Sequence, residues 1–243
     1  MKIFKFGGAS VKDADGVKNI LIVLKHTGFE NTLVVVSAMG KTTNALEQVV
    51  HSFFENKEQF PHDLEQVRGN HHHIIGDLFH DDSVAVRQKV DALFDGVLSF
   101  LNTTDNKDYS LVYDQVVSLG ELVSTTIISH YMQREEIENT WLDARQCIKT
   151  DAYFRDANLY WTDTETAIQK GVDGKSTLIS QGFIGSASNG LTTTLGREGS
   201  DYSAAIFAYA LGAESVTIWK DVPGVLNGDP RQFRDTVLLH PIS

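Results

Sequence analysis

The sequence holds a single cysteine, Cys147, which excludes an internal disulfide framework and fits a reducing compartment. With no activating neighbour in the sequence, Cys147 reads as a small buried hydrophobe and not as a nucleophile. Proline is scarce, at 4 of 243 residues, and no Pro/Ser-rich linker divides the chain, so one large domain is favoured over two small ones. The chain enters Met1-Lys2-Ile3-Phe4 directly, without the charged, apolar and small-residue sections of a signal peptide. No apolar run approaches the ~18 residues that cross a bilayer. A cytoplasmic protein with no membrane partner is the expectation. Basic residues are also in short supply: 21 Lys and Arg face 32 Asp and Glu, a formal net charge of −11. That field repels a phosphate backbone and argues against nucleic acid as the main partner. A small anionic ligand must then meet locally placed cations, for which Lys5, Arg197, Lys220 and Arg231 are the candidates.

What is present points to an α/β fold. Short apolar runs bounded by glycine alternate with longer helical patterns, the rhythm of a mainly parallel sheet covered by helices on both faces. Strands are predicted over 2–6, 32–37, 138–142, 177–183 and 215–219. Helices are predicted over 13–26, 44–56, 61–79, 83–101, 110–134, 163–170 and 201–211. Between 53 and 101 the charged, helical pattern has no strand and reads as a helical hairpin standing off the sheet, either closing over a substrate or decorating an edge. Residues 220–231 form a dense turn region, and 238–243 break off in mid-phrase, as if the domain were cut short.

Two glycine-rich stretches sit near opposite ends of the chain, Lys5-Phe6-Gly7-Gly8-Ala9-Ser10 and Gly196-Arg197-Glu198-Gly199-Ser200-Asp201. Each joins a strand or loop to a helix, where glycine lets backbone N–H groups approach phosphate oxygens and the helix N-terminus adds positive potential. Lys5 supplies a mobile cation, against the alternative of a surface lysine before a tight turn, and Ser10 with Asp13 has capping-box character. Residues 34–44 form another strand-to-helix turn, in which Ser37 offers a hydroxyl and backbone amide and Thr43 or Asn44 can cap the helix. Glu121 lies in a long apolar helical stretch, where an unpaired carboxylate is costly; it needs a cation, either a substrate ammonium or a protein Arg or Lys. Arg197 can hold a carboxylate bidentately. Asp201 is either a helix N-cap or an orienter of Lys5 or of a substrate ammonium. Gly174-Lys175-Ser176 resembles the end of a Walker A motif, but it precedes a strand and lacks the upstream glycine. His71-His72-His73 reads as a solvated helix face, since adjacent histidines on a helix diverge and no further ligands complete a zinc set.

Taken together these stretches resemble the catalytic domain of aspartate kinases, within the amino acid kinase family, over nearly the whole span from Lys5 to Arg231. The resemblance rests on five motifs in family order: Lys-Phe-Gly-Gly-x-Ser-Val at Lys5, Ser-Ala-x-x-x-x-Thr-Asn at Ser37, Gly-Glu-Leu at Gly120, Gly-Arg-x-Gly-Ser-Asp-Tyr at Gly196, and Asp-Val-Pro-Gly followed by Asp-Pro-Arg at Asp221 and Asp229. It implies a three-layer α/β/α sandwich with an open, mainly parallel eight-stranded sheet, ATP in its C-terminal half and the amino acid in its N-terminal half. The implied reaction is ATP- and Mg²⁺-dependent phosphorylation of the β-carboxylate of L-aspartate, the first step toward lysine, threonine and methionine. Lys5, Gly7, Gly8 and the backbone of Ser37 would contact the transferring phosphate. Thr43, Glu121, Arg197 and Ser200 would hold aspartate, Arg197 on its α-carboxylate and Glu121 on its ammonium. Asp201 would organise the centre, with Lys220, Asp221, Leu226 and Arg231 at the nucleotide. Two positions depart from the family: Lys220 stands where threonine is common, and Leu226 where tyrosine is. The family's regulatory ACT modules have no counterpart in these residues. The alternatives are a kinase for glutamate, acetylglutamate or carbamate, and a non-catalytic ligand-binding module; a homo-oligomer is left open.

Overall fold

Alternation along the first strand divides the interior into two layers. In β1 (Lys2–Phe6), Phe4 and Phe6 join one buried cluster with Val34, Val36 and Ile179, while Ile3 joins another with Leu33, Val35 and Leu178. Side chains on a strand alternate with period two, so the two clusters occupy opposite faces of one sheet. The computed structural model, which describes residues 1–172, 177–220, 222 and 224–240, builds that sheet from β1, β2 (Thr32–Val36), β3 (Thr140–Leu142), β5 (Leu178–Gln181) and β8 (Ser215–Trp219). The order is β3-β5-β2-β1-β8, and every pairing is parallel. All five residues of β2, Thr-Leu-Val-Val-Val, are buried, as expected for a central strand covered on both faces.

One face carries α1 (Ala14–Thr27), α2 (Thr42–Glu55), α3 (Phe60–Phe79), α4 (Val84–Thr103), α5 (Tyr109–Val117) and α6 (Leu119–Arg134). The other carries α7 (Ala144–Cys147), α8 (Trp161–Gly171) and α9 (Gly199–Leu211). This is the expected three-layer α/β/α arrangement. The eight strands among the described residues divide five and three: β4 (Lys149–Thr150), β6 (Ile184–Ala187) and β7 (Thr192–Thr194) form a second sheet, with β6 and β7 antiparallel. The division falls at Phe183, whose φ of +69° turns the chain leaving β5 before it becomes β6.

Several expectations are corrected. The segment from 53 to 101 is, as expected, a helical pair set off from the strands, but α3 and α4 do not stand free: they pack on α1, α2 and α6. Phe60, Leu64, Val67 and Ile75 of α3 and Val86, Val90 and Phe94 of α4 recur at three- and four-residue spacing and are buried in the first cluster. The stretch predicted as one helix over 110–134 is broken at Ser118 into α5 and α6. Taken together, Tyr109–Arg134 is long and apolar enough to cross a membrane by length and composition, contrary to the sequence expectation, but most of it is buried inside the protein. Caps differ as well: Asp13, not Ser10, caps α1 by accepting the Gly16 N–H at 2.9 Å. Neither Thr43 nor Asn44 caps α2, which begins at Thr42. Residues 174–176, with their Walker-like tripeptide, lie outside the described residues.

Candidate active site

The period of β1 places Lys5 on the same face as Ile3, the face covered by α9. Its ammonium, almost fully buried, lies 2.6 Å from Oδ1 of Asp201 in the first turn of α9, a close ion pair. Lys220, just beyond β8, brings a second ammonium to 3.5 Å from Oδ2. Burial pushes the Asp201 carboxyl up, but Lys5 and then Lys220 outweigh it and hold the group below the ordinary carboxylate range. Asp201 is therefore neither a cap nor a free acid; it ties the strand end to the helix start.

Two loops at the carboxyl ends of β1 and β2 are stitched together. The Ser37 N–H donates to the Phe6 carbonyl at 3.2 Å, and the Gly40 N–H donates to the Gly8 carbonyl at 3.0 Å. A Cβ on Gly8 would lie 2.7 Å from the Ala38 carbonyl oxygen, so only glycine permits this approach. Behind them, the Ser124 hydroxyl donates to the Ser37 carbonyl at 2.8 Å. Gly120 lets the start of α6 close on the same loop, because a Cβ there would stand 2.8 Å from that of Ala38. The next residue, Glu121, is 2% exposed. Its Oε1 accepts the Ala38 N–H at 3.2 Å, and its Oε2 has no partner. Burial pushes the Glu121 carboxyl up to about 8, against the opposing pull of the Ala38 N–H. Among the described residues no Lys or Arg pairs with it, so the reading of Glu121 as half of an internal ion pair is not realised.

Opposite Glu121, the chain leaving β7 passes through Gly196 (φ +72°) and Glu198 (φ +57°) into α9. These loops enclose a cavity of about 260 Å³ lined by Lys5, Gly8, Ser37, Thr43, Glu121, Ser200 and Asp201, together with Ala38, Gly40, Phe183, Gly196, Glu198 and Gly199. Most sequence-predicted site residues thus share one crevice. Gly7 lies just behind it, where a Cβ would sit 3.5 Å from the Lys5 ammonium. Arg197 is exposed on the loop between Gly196 and Glu198, and its side chain is not part of the lining. Leu226 and Arg231 are not brought to the cavity: Leu226 bridges to Leu238, and the Arg231 guanidinium is 2.8 Å from Asp229. Asp221 lies outside the described residues.

Sequence reasoning passed over Phe183 and Asp114. Asp114 sits on α5 in the same kind of apolar stretch that singled out Glu121, and that signal was available for it too. It is fully buried, and burial pushes its carboxyl up to about 6, opposed by hydrogen bonds from Arg155 and Thr194. The histidine cluster is only partly a solvated face. His71 is buried, its Nδ1 2.8 Å from the Val67 carbonyl and its Nε2 3.4 Å from the Thr42 hydroxyl, while His72 pairs with Asp91 at 2.8 Å. No group of three His, Cys, Asp or Glu among the described residues is arranged to hold a metal.

Comparison with known proteins points to one family. The amino acid kinase family model matches residues 1–243. The lysine-sensitive aspartokinase 3 of Escherichia coli (strain K12) is 33% identical over 238 residues, covering 94% of this chain and 51% of that protein. The chloroplastic bifunctional aspartokinase/homoserine dehydrogenase of Daucus carota is 30% identical over 248 residues, covering 99% of this chain and 27% of that protein. Among solved structures, E. coli aspartokinase III in complex with aspartate and ADP aligns with a TM-score of 0.85 at 30% identity, over 98% of this chain and 53% of that one. The chain spans about half the length of the E. coli enzyme and about a quarter of the carrot protein.

Proposed function

The chain belongs to the amino acid kinase family, and from that premise we propose that it transfers the γ-phosphoryl group of ATP to the β-carboxylate of L-aspartate. The observation that supports this most is Glu121. A buried carboxylate with one unpartnered oxygen opens into the same cavity as the Lys5 ammonium, and a substrate bearing a free ammonium completes it. Acetylglutamate and carbamate carry no such group and would leave that oxygen stranded at a cost of about 1–3 kcal/mol or more. Arg197, on the adjoining loop, is the cation for the α-carboxylate, with Thr43 and Ser200 lining the intervening space.

In the reaction, a β-carboxylate oxygen attacks the γ-phosphorus, the bond to the β,γ-bridging oxygen breaks, and ADP leaves with the electron pair. The attacking carboxylate is ionised at neutral pH, since an unperturbed Asp has a pKa of about 3.9, so no base is required. The chain's task is to bring an anion to a polyanion and hold the two in line. Lys5 meets the charge that develops on the transferring group, and the Gly7-Gly8 turn presents backbone close to it. Mg²⁺ would be held mainly by water and nucleotide phosphates and would supply charge neutralisation, a role that needs no dense protein carboxylate cluster. The test is ATP- and Mg²⁺-dependent hydroxamate formation in hydroxylamine across aspartate, glutamate, acetylglutamate and carbamate. Turnover with aspartate is expected; a preference for any other acid, or no turnover with any of them, would overturn the reading.

A further inference from the structure

The glycine loop that walls the cavity is anchored outside it by a carboxylate that is not part of the lining. Asp114 on α5 is 0% exposed and accepts four hydrogen bonds from two segments. Its Oδ2 takes the Thr194 N–H at 2.8 Å and the Arg155 N–H at 3.0 Å; its Oδ1 takes the Thr194 hydroxyl at 2.8 Å and the Arg155 N–H at 3.2 Å. The next residue on the helix, Gln115, holds Thr192 at both its N–H (3.1 Å) and its carbonyl (2.8 Å). One turn of α5 therefore grips β7 on either side of Thr193, at Thr192 and at Thr194, the latter two residues before Gly196. The second segment closes on the same loop. Arg155 is held at φ +72° with its guanidinium 4.3 Å from the Tyr113 ring centre. The Ala157 N–H donates to the Thr194 carbonyl at 3.0 Å, and the Asp156 carboxylate lies against Gly196, whose φ of +72° favours glycine.

A non-glycine residue in the left-handed region costs about 1–3 kcal/mol, and a buried carboxylate is costly unless fully hydrogen-bonded. Both costs are met at the foot of the loop that carries Arg197 and Ser200. We propose that Asp114 is a positioning residue, which fixes loop 196–200 through Thr194 and the 155–157 turn so that the loop's side chains meet the carboxylate end of the substrate. This rests on the proposed phosphorylation of aspartate and adds to it a residue that acts through others. Asparagine at 114 replaces one of the two acceptor oxygens with an amide donor, so the Arg155 N–H, now shared between both oxygens, loses one acceptor and faces a donor in its place, and the grip is weakened.

The test compares the unaltered chain with Asp114→Asn, Thr194→Val and Thr194→Ser, by kinetics in both substrates and by hydrogen–deuterium exchange over 194–201. In Asp114→Asn and Thr194→Val we expect faster exchange confined to that loop and an aspartate KM raised about tenfold, with the ATP KM changed less than about twofold. Thr194→Ser keeps the hydroxyl and should behave as the unaltered chain does. Unchanged loop exchange overturns the proposal whatever the kinetics show, as does an equal effect on both substrates. If Asp114→Asn does not fold, Thr194→Val decides, since it removes one hydroxyl contact and keeps the shape. If the unaltered chain gives no turnover with aspartate, the functional reading fails separately, and the exchange comparison alone decides whether Asp114 anchors the loop.

Discussion

Replacing Glu121 by glutamine should make the ligand-free protein more stable, and increasingly so as the pH rises. The folded protein holds the Glu121 proton up to a pKa of about 8, against an ordinary 4.5, so it binds that proton more tightly than the unfolded chain does. The stability this supplies is complete below 4.5, declines as the pH climbs through the window, and is gone above about 8. Within the window the slope is roughly 1.4 kcal/mol per pH unit. The rounding of the titration near its upper end reduces the loss between pH 6 and pH 8 to about 2 kcal/mol. Glutamine keeps the shape and cannot ionise, so Glu121→Gln escapes that loss. For a chain of this length each kcal/mol is worth about 2–4 °C in Tm. The gap between variant and parent should therefore widen by roughly 4–8 °C from pH 6 to pH 8, read by thermal melts at constant ionic strength. Saturating aspartate should stabilise the parent more than the variant at pH 8, because its ammonium pairs with the carboxylate. Parallel melting curves for the two proteins across pH 6–8 would refute the reasoning, since they would mean that Glu121 ionises in the folded state as freely as in the unfolded one.

Lys5→Ala should lower turnover by about a hundredfold or more while changing ATP binding only a few-fold, because the charge Lys5 meets is greatest during transfer; kcat against the nucleotide Kd separates the two, and unchanged turnover removes Lys5 from the mechanism. Arg197→Ala should raise the aspartate KM about tenfold with a smaller effect on ATP, and an unaltered aspartate KM in active enzyme contradicts its assigned role. Cys147 should resist alkylation at pH 8 in the native protein and react readily in denaturant. Burial pushes its thiol up to about 11 despite the nearby Lys149, and rapid native labelling followed by mass spectrometry would show that picture to be wrong.

The five strands of the main sheet were legible because each is a short apolar run ending at a turn, and the cavity was legible because its residues lie at strand ends and helix starts. Lys5, Ser37 and Ser200 come together by that rule alone. The second sheet was not legible. Its strands are two to four residues long, and β7 is Thr-Thr-Thr, held by Asp114 and Gln115 from a helix 77 to 80 positions away in sequence; no local periodicity encodes such a contact. The helical layer was misjudged for a related reason. His71 and the polar positions around it look solvated in a one-dimensional reading, yet the ring is enclosed where α3 meets the start of α2. Glu121 could be singled out from its apolar surroundings, but only the fold shows that no cation among the described residues answers it.

Charge accounting in the cavity gives a reason for the lysine at position 220, where the family resemblance leads one to expect threonine. Among the described lining residues Lys5 is the only cation, and it is already committed to Asp201 at 2.6 Å. In the proposed reaction, a phosphate group arriving at the end of β1 competes with Asp201 for that ammonium. Were Lys5 the sole partner, Asp201 would be left a largely buried, unpaired carboxylate, a loss that reaches about 3–5 kcal/mol where burial is complete and is smaller here, with the Asp201 side chain 22% exposed. Lys220 stands 3.5 Å from the other carboxylate oxygen, so Asp201 keeps a counter-charge when Lys5 turns to the phosphate. In a chain of net charge −11, that second lysine would, in the proposed reaction, lower the cost of releasing Lys5, and it would do so from the half ascribed to the nucleotide by the family resemblance.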